Sequence, residues 1–129
     1  KNKEFFSETE TGLVNYGKTD ISFSPNVIAN GNVLYSPFKN FNLGVTAQYV
    51  GKQYLDNSGN EVNQLKDYMV PDFNMSYKLP LVKNEVVLRF LLNNFTDTRY
   101  VNNGYIYGDP YYFSQAGINF MLGVSIKIK

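Results

Sequence analysis

Hydrophobic and polar residues alternate along four segments of this chain. The most regular is the last one, Phe120 to Ile128, where every second residue is apolar. The others run from Phe41 to Tyr49, from Phe73 to Leu79 and from Val86 to Leu92. A period of two is typical of β-strands whose two faces meet different surroundings. A less regular stretch, Val27 to Tyr35, predicts one further strand.

The charged residues in or beside these segments all lie on the polar parity. They are Asp72, Lys78, Glu85, Arg89 and Lys127. This sorting is expected if the apolar face meets lipid, where a lysine or arginine at the bilayer midplane costs about 2–4 kcal/mol. A half-buried sheet in a soluble sandwich would sort its charges in the same way. Parity therefore predicts a two-faced sheet and leaves open whether its apolar face meets lipid or protein.

The connections between the strands alternate in length. Ser36–Asn40 and Pro80–Asn84 are short, whereas Gly51–Asp67 and Phe95–Gly117 are long. Consecutive antiparallel strands would place both short turns at one end of the sheet and both long loops at the other. Outer-membrane barrels have this asymmetry. We therefore predict an all-β fold of antiparallel up-and-down strands that forms part of a transmembrane β-barrel.

Composition excludes several classes of site. The 129 residues include 11 Tyr and 10 Phe but no Trp, Cys or His, so disulfides, thiolate ligands and imidazole chemistry are excluded within this chain. With 12 basic and 11 acidic residues, no overall field favours nucleic acid. No nucleophile-elbow or phosphate-loop motif is present. We expect no catalytic site, no metal site, no cofactor and no nucleic-acid partner.

Four short segments carry more information than alternation. They read Tyr49-Val-Gly-Lys-Gln-Tyr-Leu-Asp-Asn57, Leu92-Asn-Asn-Phe-Thr-Asp-Thr-Arg-Tyr100, Tyr112-Phe-Ser-Gln-Ala-Gly-Ile-Asn-Phe120 and Asp20-Ile-Ser-Phe-Ser-Pro25. In this order along the chain, the segments resemble parts of the TonB-dependent outer-membrane receptors of Bacteroidetes. The chain departs from the family pattern at Ser114, where proline is common, and at Ile118, where arginine is common. Its last loop, Gly108-Asp109-Pro110-Tyr111, also lacks the glutamate of the oligosaccharide-transporting branch.

The end of the chain carries a further resemblance. Gly123, Ile126 and Ile128 have the spacing of the outer-membrane assembly signal, in which hydrophobic residues lie three and five positions after a glycine. In the family the chain usually ends on an aromatic residue, whereas Lys129 follows Ile128 here. The spacing implies that barrel-assembly machinery recognises this strand.

The resemblance implies a 22-stranded barrel plugged by an N-terminal domain. Residues 1–129 would form its C-terminal segment with the last five or six strands, while the plug and earlier strands would precede Lys1. The implied function is uptake of a scarce solute (an iron complex, vitamin, oligosaccharide or peptide) across the bacterial outer membrane. The implied partners are outer-membrane lipid, TonB acting through an N-terminal region outside this chain, and a surface lipoprotein in some assemblies.

The tyrosine-rich loop before the last strand is the candidate substrate-binding segment. Tyrosines offer large rigid surfaces with a polar tip, and the candidate residues are Tyr105, Tyr107, Asp109, Tyr111 and Tyr112. The alternative interpretation is an aromatic girdle with loop packing. Glu85 and Arg89 lie on the polar parity and are expected to face the barrel lumen, where they would pair with charges of neighbouring strands or of the plug.

A different class of protein remains compatible with the same pattern. In a soluble or surface-attached β-sandwich binding module, the apolar face would pack on a second sheet and the tyrosine loop would bind a partner or sugar. Such a module would be monomeric and would need no detergent.

Overall fold

The computed structural model describes residues 1–81 and 84–128. Val82 and Lys83, which belong to the second predicted turn, and Lys129 lie outside the described residues. No helix within the described part is long and apolar enough to cross a membrane. The described residues form eleven strands and a single 3₁₀ turn at Glu61–Asn63. The strands are β1 (Phe5–Thr9), β2 (Gly12–Gly17), β3 (Ile28–Phe38), β4 (Phe41–Val50), β5 (Gln53–Tyr54), β6 (Gln64–Leu65), β7 (Tyr68–Leu79), β8 (Glu85–Asn93), β9 (Val101–Tyr107), β10 (Asp109–Ser114) and β11 (Asn119–Lys127).

The chain divides into two compact units. The first, which we call the hairpin unit, comprises Lys1–Ile28, Val50–Tyr68 and Arg99–Gln115. It contains three two-stranded sheets, β1–β2, β5–β6 and β9–β10. The second, the sheet unit, comprises Ala29–Tyr49, Met69–Thr98 and the residues from Ala116 onward. It contains one five-stranded sheet in the order β11-β8-β7-β4-β3.

The strand register of the sheet unit matches the predicted faces. Along β8 and β11, Leu92 lies opposite Phe120 and Val86 opposite Ile126, while Glu85 lies opposite Lys127. β7 and β8 are paired in the same way. Because opposite residues in an antiparallel pair point to the same side, apolar residues meet apolar ones across three strands. The prediction of an all-β, antiparallel, two-faced sheet is confirmed.

The long connections differ from the prediction. Both were read as loops, but they contain β5 and β6 in one case and the β9–β10 hairpin in the other. The β9–β10 turn is made at Gly108, whose φ of +70° favours glycine. Gly108-Asp109-Pro110-Tyr111 was placed in the last loop, whereas Gly108 makes a turn and Asp109, Pro110 and Tyr111 begin β10.

The first short turn is tighter than predicted. β3 extends to Phe38 and β4 begins at Phe41, so Lys39 and Asn40 alone connect them. Asn40 takes a φ of +67°, which asparagine tolerates better than most residues. Its carbonyl oxygen accepts a hydrogen bond of 2.8 Å from the Lys78 backbone N–H, which ties this turn to β7.

Gly44 on β4 lies against the side chain of Asn74. A Cβ built at Gly44 would lie 2.5 Å from Nδ2 and 2.9 Å from Cγ of Asn74, whereas one at Gly31 would meet nothing within 4 Å. We expect Gly44→Val to lower the free energy of unfolding by about 1–3 kcal/mol, the usual cost of overpacking. Gly31→Val is the matched control and should leave stability nearly unchanged. Equal unfolding midpoints for the two purified variants would contradict this packing.

Candidate functional site

The five-stranded sheet presents one face made almost entirely of apolar side chains. On β7, β8 and β11 this apolar face consists of Phe73, Met75, Tyr77, Leu79, Val86, Leu88, Phe90, Leu92, Phe120, Leu122, Val124 and Ile126. None of these twelve side chains is buried. Leu122 is 76% exposed and Val124 is 65% exposed. The four buried hydrophobic side chains of the described residues are instead Val50, Tyr54, Leu55 and Leu65.

Two aromatic clusters lie on this face. Near the short turns, the rings of Phe38 and Phe41 stack with centroids 4.7 Å apart, and Phe41 lies 6.2 Å from Tyr77. Farther along the strands, Phe90 lies 6.4 Å from the rings of both Phe73 and Phe120. Aromatic rings are large surfaces that pack well against one another. The two clusters occupy neighbouring rows of the apolar face. Phe90 lies opposite Met75 and Leu122, and in the next row Tyr77 lies opposite Leu88.

The opposite, polar face carries a series of hydrogen bonds between strands. The Ser36 hydroxyl donates to Oδ1 of Asn42 at 2.6 Å, and Nδ2 of Asn42 donates to Oγ of Ser76 at 3.4 Å. Ser76 in turn lies opposite Arg89 in the register. Nη1 of Arg89 donates to Oγ of Ser125 at 2.6 Å. Polar side chains thus continue from β3 to β11 on the parity where Arg89 was predicted to lie.

Glu85, the other residue predicted to face the lumen, forms an ion pair with a residue of the adjacent strand β7. Its carboxylate lies 3.0 Å from the Lys78 ammonium on β7, and both side chains are partly exposed. A partly exposed pair of this kind contributes about 0–1 kcal/mol. Glu85 was predicted to pair with a charge on a neighbouring strand or on the plug. Its partner in the structure, Lys78, lies on β7.

The segment after β8 forms a compact hydrogen-bonded cluster around Asn94. This side chain is only 3% exposed. Its Nδ2 donates to the carbonyl oxygens of Thr98 at 2.9 Å and Ala116 at 3.2 Å, and its Oδ1 accepts from the Thr98 backbone N–H at 2.9 Å. All three hydrogen bonds join the Asn94 side chain to backbone atoms. We call this arrangement the Asn94 clasp.

Two aspartates extend the Asn94 clasp to the neighbouring strands. Oδ1 of Asp72 on β7 accepts from the Asn94 backbone N–H at 2.7 Å. Oδ1 of Asp97 accepts from the Ile118 backbone N–H, just before β11, at 2.9 Å. From the sequence, Asp72 was placed only on the polar parity, and Asn94 had no predicted role. Asn94 and Asp97 of the segment Leu92–Tyr100, which resembles the receptor family, therefore hold the ends of β7, β8 and β11 together.

The β9–β10 hairpin brings most of the predicted substrate-binding residues onto one face. Tyr105 lies opposite Tyr111, and Tyr107 lies opposite Asp109. The rings of Tyr105 and Tyr111 stack 5.2 Å apart at an interplanar angle of 12°. Tyr107 is 81% exposed. These four residues share one exposed face of the hairpin.

Tyr112, the fifth predicted residue, lies on the other face of that hairpin. It pairs with Gly104, and its hydroxyl donates a hydrogen bond of 2.7 Å to the Val62 carbonyl oxygen. A Cβ at Gly104 would overlap the Tyr111 carbonyl oxygen and approach Cδ2 of Leu55 at 3.2 Å. The hairpin therefore packs closely on this side, and Tyr112 belongs to a different surface from the other four tyrosine-loop candidates.

A pocket of about 350 Å³ lies within the hairpin unit beside Tyr112. Its lining residues are Gln64, Leu65, Lys66, Asp67, Arg99, Tyr100, Val101 and Tyr112. Leu65 is 2% exposed and belongs to the buried core, whereas Lys66, Asp67 and Arg99 are exposed. Sequence reasoning missed this pocket because its residues come from separate segments that no local pattern brings together.

Tyrosine rings next to the pocket are held in place. The ring of Tyr100 lies 4.4 Å from that of Tyr68, and the Tyr100 carbonyl oxygen accepts a hydrogen bond of 3.0 Å from the Gln115 N–H.

The acidic turn from Asp56 to Glu61 is stabilised internally. Oδ1 of Asp56 accepts from both the N–H and the hydroxyl of Ser58, and Oδ2 accepts from Nδ2 of Asn63. Within residues 1–81 and 84–128, no three acidic side chains are close enough together to hold a metal ion.

Comparison of the chain with protein-family models found no match, and comparison with curated proteins found none either. The features that bear on function are therefore the two faces of the sheet, the tyrosine hairpin and the pocket.

Proposed function

We propose that this chain is the C-terminal barrel segment of a TonB-dependent receptor of the bacterial outer membrane, which takes up a scarce solute into the periplasm. The observation that carries the proposal is the sheet whose apolar face has no buried side chain while its other face carries paired polar groups. A lipid-facing barrel wall has this division between an apolar outside and a polar interior.

The dimensions of the sheet support a membrane location. β11 has nine residues, which at about 3.3 Å per residue and a tilt of about 40° span about 23 Å. The apolar band of outer-membrane barrels is about 25 Å tall and has aromatic girdles at both edges. Phe38 and Phe41 beside the first short turn, and Phe120 near the start of β11, suit such girdles.

The exposed apolar face favours this proposal over a soluble β-sandwich. In a sandwich, inward-facing residues of two sheets interdigitate to form the core. Phe120, Leu122, Val124 and Ile126 are each more than 60% exposed, and the buried hydrophobic residues lie mainly in the hairpin unit. A soluble protein would need a partner of some other kind to cover this face, because contiguous apolar patches of this extent are rare on soluble monomers.

The proposal assigns roles to the predicted site residues. Glu85 and Arg89 would face the lumen, and the tyrosine hairpin would contribute to the outer mouth where the solute is captured. Membrane barrels have at least eight strands, so the other strands and the plug would come from the remainder of the protein, together with the region that contacts TonB.

The assembly signal lies on the outermost strand of the described sheet. β11 pairs with β8 on one side only, and Ile126 is 63% and Ile128 81% exposed. A strand with a free edge can add to another sheet through backbone hydrogen bonds. Recognition of Gly123, Ile126 and Ile128 by barrel-assembly machinery is therefore part of the proposal, as is association with a surface lipoprotein.

Fractionation of the native protein tests this function. We expect the protein that contains this chain to sediment with the outer membrane, to require detergent for extraction, and to have an intact mass several times that of 129 residues. A monomeric species of about 129 residues that is soluble without detergent would contradict the proposal and favour the β-sandwich binding module. A lipoprotein that co-purifies in stoichiometric amount would identify the surface partner.

A further inference from the structure

A groove of about 550 Å³ lies on the apolar face of the sheet unit, beside the first short turn. Its apolar and aromatic lining residues include Phe38, Phe41, Met75, Leu88, Phe90 and Leu122. Arg89 also borders the groove, but its guanidinium donates to Ser125 on the polar face. The groove therefore offers mainly apolar surface, which suits a hydrocarbon chain better than a polar solute.

The charges of the sheet unit are divided between its two ends. Among the described residues, the short-turn end carries three lysines and one glutamate, which are Lys39, Lys78, Lys127 and Glu85. Three cations and one anion give this end a net charge of +2. The long-loop end carries the two carboxylates of Asp72 and Asp97. The positive excess at the short-turn end is a sum over the group, so it persists although Lys78 and Glu85 pair with each other.

Lys39 connects this cationic end to the groove. It is exposed in the turn between Phe38 and Phe41, whose rings stack 4.7 Å apart and both line the groove. The Asn40 carbonyl oxygen accepts a hydrogen bond of 2.8 Å from the Lys78 N–H, so the turn is held against β7. A lysine beside apolar surface extends its methylene groups along that surface and keeps its ammonium in water. The cation is therefore placed at the end of the groove where a lipid headgroup would lie.

We propose that the groove holds an acyl chain of an anionic phospholipid, whose headgroup phosphate lies at the cationic end beside Lys39. A lysine ammonium is a common phosphate ligand, and lysines at a membrane surface attract anionic lipids. A second copy of this chain would bring the same positive end to the same place, so charge disfavours it as the occupant. The inference rests on the proposed function, because it requires the apolar face to meet lipid.

Lipid titration of the detergent-purified full-length protein, followed by native mass spectrometry, tests the ligand class. The probes are phosphatidylglycerol, phosphatidylcholine with the same acyl chains, and glycerol phosphate, which has the phosphate without the chains. We expect phosphatidylglycerol to bind about fivefold more tightly than phosphatidylcholine, and glycerol phosphate to bind far more weakly than either lipid. Equal affinity for the two lipids, or equal affinity for phosphatidylglycerol and glycerol phosphate, would overturn the proposal. A protein dimer that binds no lipid would also overturn it, because a second copy would then cover the groove.

Variants of Lys39 test the position of the headgroup. Lys39→Gln should weaken binding of phosphatidylglycerol about threefold to fivefold, the effect of removing one lysine from an anionic surface, and Lys39→Arg should restore it. Binding of phosphatidylcholine should not change. Lys52→Gln is the matched control, because Lys52 is also an exposed lysine but belongs to the hairpin unit. Equal loss of affinity in the Lys39→Gln and Lys52→Gln proteins, or no loss in either, would contradict this position.

A bulky substitution tests the position of the acyl chain. Leu88→Trp should fill part of the groove and weaken binding of both lipids, whereas Val45→Trp should leave it unchanged. The two positions are matched in exposure, since Leu88 is 41% and Val45 38% exposed, and only Leu88 lines the groove. Far-ultraviolet circular dichroism would establish that each variant is folded. Equal affinities of the two folded variants for phosphatidylglycerol would argue against an acyl chain in the groove.

Lipid titration and fractionation distinguish the failure of the lipid site from the failure of the receptor. A detergent-dependent outer-membrane protein with equal affinity for the two lipids would keep the receptor and refute the lipid site. A protein that is soluble without detergent would refute the receptor, and the lipid site with it.

Discussion

Leu122→Lys is expected to lower the free energy of unfolding of this protein in membranes by about 2–4 kcal/mol. It should also reduce the amount assembled in the outer membrane. Leu122 lies on the apolar face near the middle of β11 and is 76% exposed. If that face meets lipid, the lysine ammonium must be desolvated or the bilayer must deform around it. The measurement is the denaturant midpoint after reconstitution, together with the yield in the outer-membrane fraction.

Met121→Lys provides a matched control one residue away. Met121 is 58% exposed and lies opposite Leu91 on the polar face. Its replacement should change stability by less than about 0.5 kcal/mol, because a lumen-facing lysine remains hydrated. In a soluble protein with a solvated apolar face, neither substitution would be costly. Equal and small effects for the two variants would therefore contradict the membrane location.

Asn94→Ala is expected to lower the free energy of unfolding by about 2–4 kcal/mol. The substitution removes three part-buried hydrogen bonds of the Asn94 side chain, so the Thr98 N–H and the Thr98 and Ala116 carbonyl oxygens lose this partner. Losing the partner of a buried polar group costs about 1–3 kcal/mol for each group left unsatisfied, and local relaxation recovers part of that. Chemical denaturation monitored by circular dichroism would measure the change.

The neighbouring Asn93 is the control for the Asn94 clasp. Its Nδ2 donates a single hydrogen bond of 2.9 Å to Oδ1 of Asn119 in an exposed position. Asn93→Ala should therefore cost less than about 1 kcal/mol, because water can replace the lost partner. Asn94→Asp should be nearly as harmful as Asn94→Ala, since a carboxylate would retain the acceptor and repel the two carbonyl oxygens. A stability loss at Asn93 as large as that at Asn94 would argue against the clasp.

The sheet strands were predictable because their side chains follow a period of two that local sequence displays directly. In β8 and β11 the predicted apolar positions meet one another across the sheet, from Val86 opposite Ile126 to Leu92 opposite Phe120. Strand ends were less predictable. β3 continues through Ser36 and Pro37 because pairing with β4 outweighs their preference for turns.

The many tyrosines between Val101 and Ser114 are evident from the sequence, but the β9–β10 hairpin that they form was not predicted. Its turn residues and repeated tyrosines hide the alternation, so the segment was read as a loop. Once Gly108 makes the turn, alternation places Tyr105, Tyr107, Asp109 and Tyr111 on one face and Tyr112 on the other. Of these five residues, only Tyr112 lines the pocket of the hairpin unit.

The β class, the two faces of the sheet and the parity of its charges can be read from the sequence, because side-chain direction in a strand depends only on position along it. The contacts between groups far apart in the chain become visible in the folded structure alone. The Asn94 clasp joins Asp72, Asn94 and Ala116, and the pocket joins Lys66, Arg99 and Tyr112. Such contacts depend on how the chain returns to itself after each long connection, and no local pattern of residues contains that information.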